Sequence, residues 1–409
     1  MSKQKNINFE SFIPSNKFSN FKNLDKKKIN QFINKTINNT KEAQNVFHSF
    51  SRNFKLNFSQ SELKRYKKFK RVIIIGFGGS ILGTQAINNF LKKKSNKDLI
   101  FINNMVPHEI DTLRKFKDLK NSLFIIVSKS GNTIEVLSII NSLKKKASFN
   151  KENTLVITEN KKSHLNNYAK KLQIKIIFHR NYIGGRYSVF SETALAPCSL
   201  IGININKLRK NILNFLYKKK SLLIENLLNL SQVYKSKKIN SLVLLNYGQG
   251  LNHFLLWCQQ LIAESLGKKG KGIIPLISVG PRDHHSLLQL YLDGPKDNFF
   301  YIFSFKEIKK IPITKGLFYE TLNNKDINKV LESQKKAMIA LLKNKGIPFL
   351  SIEIKKRNEE TIGELFSYFI LETVFMGENL KVNPFNQPAV EKLKVLTKKN
   401  LLKKTKNNF

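Results

Sequence analysis

Apolar residues along this chain fall into two alternating spacings. Short continuous runs, 72–75, 99–102, 123–127, 154–157 and 174–178, read as strands buried on both faces. Between them lie stretches with apolar positions three and four apart, such as 85–91 and 134–143, which read as amphipathic helices. A longer helical stretch follows at 208–233, and then the alternation restarts. Strand-like runs recur at 242–245, 273–279, 299–303 and 349–354, and helix-like runs at 253–266, 327–342 and 362–375. Strands alternating with helices predict parallel sheets covered on both faces. The expectation is therefore two doubly wound αβα sandwich domains, residues 46–215 and 216–395. An N-terminal arm, 1–45, precedes them, and a basic C-terminal tail with helix, 396–409, follows.

At 409 residues, 41% hydrophobic and with 31 Phe, the chain can fill two cores. No apolar run approaches the length of a membrane span, and no signal-peptide core follows Met1. Two cysteines, Cys198 and Cys258, rule out a disulfide framework and a cysteine-based metal site. A cytoplasmic protein without membrane contact is expected. The charge changes the picture less than its size suggests. There are 72 basic and 28 acidic residues, a net of +44. Only nine of the basic residues are arginines, and the lysines are spread rather than focused. Lys, Asn, Ile and Phe share A/T-rich codons, so the excess reads as compositional bias, and no nucleic-acid partner is expected. A positive field still draws anionic metabolites.

The chemistry begins where strands end. The run Val72–Ile75 leads into Gly76-Phe-Gly78-Gly79-Ser80-Ile81-Leu-Gly83-Thr84. A glycine turn into a helix exposes backbone N–H groups to an anion. Thr84 stands where a P-loop needs Lys, and Ile81 stands where a dinucleotide fingerprint needs Gly. Nucleotide cofactors are therefore disfavoured, while a turn that merely packs strand on helix remains open. After Leu123–Val127 comes Ser128-Lys129-Ser130-Gly131-Asn132-Thr133, three hydroxyls around a helix start. They suit a phosphate monoester, but Ser130 or Thr133 also reads as an ordinary N-cap.

Three further runs carry candidates. Gly184-Gly185-Arg186-Tyr187-Ser188 lets backbone approach a ligand and aims a guanidinium, with a carboxylate-paired loop arginine as the alternative. Glu264 lies near the C-terminal end of an apolar helix, where the dipole disfavours an anion, as suits a general base. Pairing with Lys268 one turn on is the plainer reading. Asp283-His284-His285-Ser286 holds two of the seven histidines, but adjacent side chains diverge, so a metal pair is not expected. In Gln387-Pro388-Ala-Val-Glu391-Lys-Leu-Lys394, Pro388 opens a helix, and Gln387 and Lys394, two turns apart, share a face.

Taken in order, these runs resemble the phosphoglucose isomerase family, which has the sugar isomerase fold. The likeness spans about residues 70–395 and five motifs. Ser130, His284 and Asn386 stand where the family has Thr, Gln and Asp. The resemblance implies aldose–ketose isomerisation of glucose 6-phosphate and fructose 6-phosphate, with no cofactor or metal. It implies that Gly79, Ser80, Ser128, Lys129, Ser130, Thr133 and Gln387 hold the sugar phosphate. It makes Glu264 the base, Arg186 the group facing enediolate charge, and His285 with Lys394 the ring-opening pair. It also implies a homodimer whose active site is shared between subunits. A non-catalytic sugar-phosphate sensor on the same fold is the rival reading.

Overall fold

The computed structural model of the protein describes residues 6–18, 25–91, 97–306, 311–314 and 319–402. Strand β1 (Ile7–Phe12) comes first in the chain. It is followed by β2 (Arg71–Ile75), β3 (Asp98–Ile102), β4 (Leu123–Val127), β5 (Thr154–Glu159) and β6 (Lys175–His179). These last five form one all-parallel sheet in the order β3-β2-β4-β5-β6. Every residue of β4 is buried, as expected of a central strand covered by helices on both faces.

The second sheet contains β7 (Ser241–Asn246), β8 (Ile274–Val279), β9 (Asn298–Phe305) and β10 (Phe349–Ile354). Its order is β1-β10-β9-β7-β8, parallel except for β1, which runs antiparallel along β10 from Ile7 opposite Ile354 to Phe12 opposite Phe349. The two doubly wound sheets match the architecture expected from the alternation of runs. Strand β1 and the helix Asp25–Asn39 lie in the stretch read as an arm, and Ile7, Ile29 and Ile33 are all buried. The basic tail is helical to Leu402, and residues 403–409 lie outside the described residues.

The helical stretch 208–233 differs from its pattern. The helix Ile205–Arg209 stops, residues 210–219 run as successive turns, and a second helix spans Lys220–Ser236. Tight bonds such as Asn214 N–H to Asn211 O (3.0 Å) and Leu216 N–H to Leu213 O (3.0 Å) replace the α-helical ladder.

Two helices tie the halves together. Asn252–Leu266 packs on both Leu82–Leu91 and the 21-residue helix Glu359–Asn379. Asn358 caps the latter by accepting from Thr361 N–H at 2.9 Å. Its residues 361–377 are buried all round, so it forms the spine of the molecule. Within this apolar rod sits Glu372, whose burial pushes its carboxyl up to about 7, beside Tyr301 and Tyr368. A carboxyl raised in the folded state favours folding below its unfolded value and loses that contribution as pH climbs towards 7. Glu372→Gln is therefore expected to raise the unfolding temperature by several degrees at pH 8 and hardly at all at pH 4. Scanning calorimetry at the two pH values checks this, and an equal shift at both contradicts it.

Candidate active site

Strands β2 and β4 are neighbours whose connections leave in opposite directions, so a crevice opens at their C-terminal ends. Both glycine-serine loops emerge there. Gly79 meets the backbone of Gly185 so closely that a Cβ on it would lie 2.2 Å from the Gly185 carbonyl carbon. The glycines of the first loop thus let it back directly onto the arginine loop. No described residue hydrogen-bonds the Ser80 hydroxyl, which leaves it available.

In the second loop the hydroxyls converge. Ser128 Oγ lies 2.8 Å from Thr133 Oγ1, and Ser130 Oγ lies 3.3 Å from it. Gly131 turns the chain at φ +66°, and a Cβ there would strike Ser163 Oγ at 2.1 Å. Thr133 occupies the N-cap of the helix Ile134–Ala147, yet its side chain makes no capping bond. The ordinary N-cap reading is therefore not realised at Thr133. A group of hydroxyls faces a helix N-terminus whose leading N–H groups lack a side-chain cap, an arrangement suited to a dianion. Lys129 stands alongside, donating to Asn181 O at 2.9 Å and pairing with Glu159 at 3.4 Å. Burial holds its ammonium below the usual lysine range, and Glu159 offsets part of that.

Arg186 is the hub. It is 2% exposed, and every donor of its guanidinium is used. Nε donates to Ser265 Oγ (2.8 Å), Nη1 to Glu264 Oε2 (3.1 Å) and Gln387 Oε1 (2.9 Å), and Nη2 to Pro384 O (2.6 Å) and Asn386 O (3.1 Å). Its own carbonyl accepts from the Trp257 indole at 2.9 Å, and Tyr187 Oη donates to Pro384 O at 2.9 Å. One planar cation thereby fixes the helix Asn252–Leu266 against the segment 384–387.

Glu264 is half-buried. Its Oε2 faces Arg186, and its Oε1 accepts from Gln260 Nε2 at 3.0 Å. The Lys268 pairing does not form: that ammonium bonds Ser265 O (2.8 Å) and Asn383 O (2.6 Å). Burial and the nearby Arg186 lower Lys268 to about 8. Glu264, Lys268, Asn386 and Gln387 line a cavity of about 630 Å³, and the hydroxyls of Ser80, Ser128, Ser130 and Thr133 lie outside its lining.

Two expected site residues make no hydrogen bond or ion pair with this cluster among the described residues. His285 is exposed, at the end of a short 3-10 turn after β8, with no hydrogen-bond partner among the described residues. Its neighbour His284 is held by Tyr247 Oη at 2.6 Å. Lys394 sits on the helix Pro388–Leu402, where it pairs with Glu391 at 2.7 Å. Gln260 and Ser265 belong to the sequence run around Glu264 without a role expected of either, and the carbonyls of Pro384 and Asn386 are not among the expected site groups. Gln260, one turn before Glu264, was within reach of a helical-spacing argument. The carbonyls were not, since a backbone acceptor carries no residue signature.

Comparison with known proteins adds to this geometry. The sequence model of the phosphoglucose isomerase family matches residues 19–274. Glucose-6-phosphate isomerase of Methanocaldococcus jannaschii is 36% identical over 349 residues, covering 81% of this chain and 85% of the relative. Hypothetical protein TT0462 from Thermus thermophilus superposes with a TM-score of 0.81 at 24% identity, over 96% of this chain and all of that one. A glucose-6-phosphate isomerase from Chlamydia trachomatis gives 0.74 at 19% identity, over 92% and 84% of the two chains. The structural likenesses speak for the fold, while the sequence matches reach further: the chain belongs to the phosphoglucose isomerase family.

Proposed function

We propose that the cleft interconverts glucose 6-phosphate and fructose 6-phosphate by moving one proton between C2 and C1. The observation that carries this reading is the joint placement of a carboxylate, Glu264, on a buried arginine and an uncapped hydroxyl loop at the adjacent strand end. Ser80, Ser128, Ser130 and Thr133, with the backbone of Gly79 and Lys129, hold the phosphate, and Gln387 orients it. Anchoring the distant end fixes C1 and C2 beside the base. Glu264 takes the C2 proton and delivers it to C1 through a cis-enediolate. Arg186 faces the oxygen charge through Nη1, the nitrogen it shares with Glu264 and Gln387. If the loop holds phosphate, Ser128→Ala and Thr133→Val each raise the KM for fructose 6-phosphate about tenfold and change kcat little. Steady-state kinetics checks this, and an unchanged KM in both variants contradicts it.

His285 opens the sugar ring with help from Lys394, and the histidine is supplied by a second copy of the chain. Its exposure, with no hydrogen-bond partner among the described residues, supports that reading. So does the helix Pro388–Leu402, where Leu393 and Leu396 stand 68% and 56% exposed. In a dimer with shared sites, inactive Glu264→Gln and His285→Ala proteins regain activity when unfolded and refolded together. The mixed dimer then carries one intact site, so recovery approaches about a quarter of the unmutated rate. No recovery contradicts the shared site. The cytoplasm is the setting this reading assigns. No helix among the described residues is long and apolar enough to cross a membrane.

A further inference from the structure

A second cavity, about 640 Å³ and as large as the first, opens where the helical stretch breaks into turns at 210–219. None of the residues that line it belongs to the site described above. Its walls include Arg52, Arg209, Lys210, Lys218, Asn211 and Tyr217, and no carboxylate lines it. Lysine is common in this chain, but arginine is not: two of only nine arginines meet here. Lys210 is paired with Glu360 at 2.9 Å. Arg52, Arg209 and Lys218 have no ion-pair partner among the described residues.

Arg209 is built in. Its Nη1 donates to Phe54 O (3.1 Å), and its Nη2 donates to Ser49 O (3.3 Å) and Ser51 O (2.7 Å). Its guanidinium stacks 5.3 Å from the Phe54 ring, and its Nε is buried without a hydrogen-bond partner. Neutral carbonyls take three of its five N–H donors, and the only carboxylate among the described residues that acts on it, Glu192, does so without forming an ion pair with it. A fixed cation at the wall, two exposed ones beside it and the nearby amide groups are the donor set that a multiply charged phosphate needs. Tyr217, 54% exposed, adds a ring at the mouth. We propose that this cavity is a second anion site, separate from catalysis, that prefers a small phosphorylated metabolite carrying three or more negative charges over a single phosphate monoester.

Pyrophosphate is the probe. The catalytic cleft is first saturated with fructose 6-phosphate and its isomer at equilibrium, and pyrophosphate is then titrated calorimetrically into the full-length protein. One further site per chain is expected. In the double variant Arg52→Glu, Lys218→Glu, both at exposed positions, its affinity falls about tenfold or more, while kcat and KM hold. Lys170→Glu, Lys171→Glu makes the same change in net charge on an outer helix of the first sheet and leaves the affinity within about twofold. Equal weakening in both double variants overturns the proposal, because the binding then follows net charge. So does the absence of a further site in the saturated protein. So does tight binding of a single-stranded RNA at this face that pyrophosphate fails to displace. Failure of the catalytic reading would show in the Ser128 and Thr133 kinetics and leaves this titration untouched.

Discussion

Glu264→Gln lowers kcat by about three orders of magnitude, while sugar-phosphate binding persists. The substitution preserves shape and removes only the capacity to take a proton. The surroundings can accept the change. Glu264 Oε1 now receives a bond from Gln260 Nε2, and the Oε1 of that same Gln260 is buried without a partner. Turning the Gln260 amide over presents that oxygen to the introduced amide, so the pair stays bonded. The remaining oxygen still accepts from Arg186 Nη1. Retained folding and binding then isolate the proton transfer as the lost step. A coupled assay for turnover, with fluorescence or calorimetry for binding, measures both. Near-normal turnover excludes Glu264 as the base, and loss of binding alongside turnover makes it a substrate anchor instead.

Arg186→Lys removes both activity and several degrees of thermal stability. An ammonium has three donors and no fork, whereas five acceptors wait around this position. The Pro384 and Asn386 carbonyls and the Glu264 carboxylate cannot all be met from one point. Breaking a buried ion pair on one side typically costs about 3–5 kcal/mol, and part of that is recovered because Glu264 is half-exposed. The segment 383–388, fastened to the core largely through this side chain, is expected to exchange its amide hydrogens faster. Thermal unfolding and hydrogen exchange followed by mass spectrometry read the two effects. An unchanged midpoint with unchanged protection of that segment contradicts the hub assignment.

Much of this architecture was legible in the order of residues because burial on both faces demands unbroken apolar runs. The run 349–354 coincides with β10, and 72–75 lies one residue inside β2. Strand β1 escaped notice because a six-residue edge strand shows only weak alternation and its partner lies some 340 residues away. The turns at 210–219 carry apolar spacing that continues a helix, and the break shows only in the backbone bonds. Among the candidate site residues, Ser128 and Thr133 follow the end of β4 and Arg186 lies in the loop after β6, whereas Glu264 lies on the helix Asn252–Leu266. What the motifs could not convey was the meeting of Arg186 with residues about 80 and 200 positions further on. That meeting depends on three segments distant in sequence closing on one side chain. Gly79 is instructive: the expectation there is a backbone N–H for a phosphate, and the contact with Gly185 supplies a second reason for glycine. His285 and Lys394 rest on their motifs alone, because within one chain neither is bonded to Glu264 or Arg186.

The indole bond to Arg186 gives the molecule an optical property. Trp257 is the sole tryptophan, fully buried, and its N–H ends on the carbonyl of the hub arginine. Fluorescence excited at the red edge of the absorption band therefore comes from one ring with one hydrogen bond. Any event that shifts the arginine loop, whether a sugar settling or a subunit docking, is written into the colour of that single fluorophore without a label being attached.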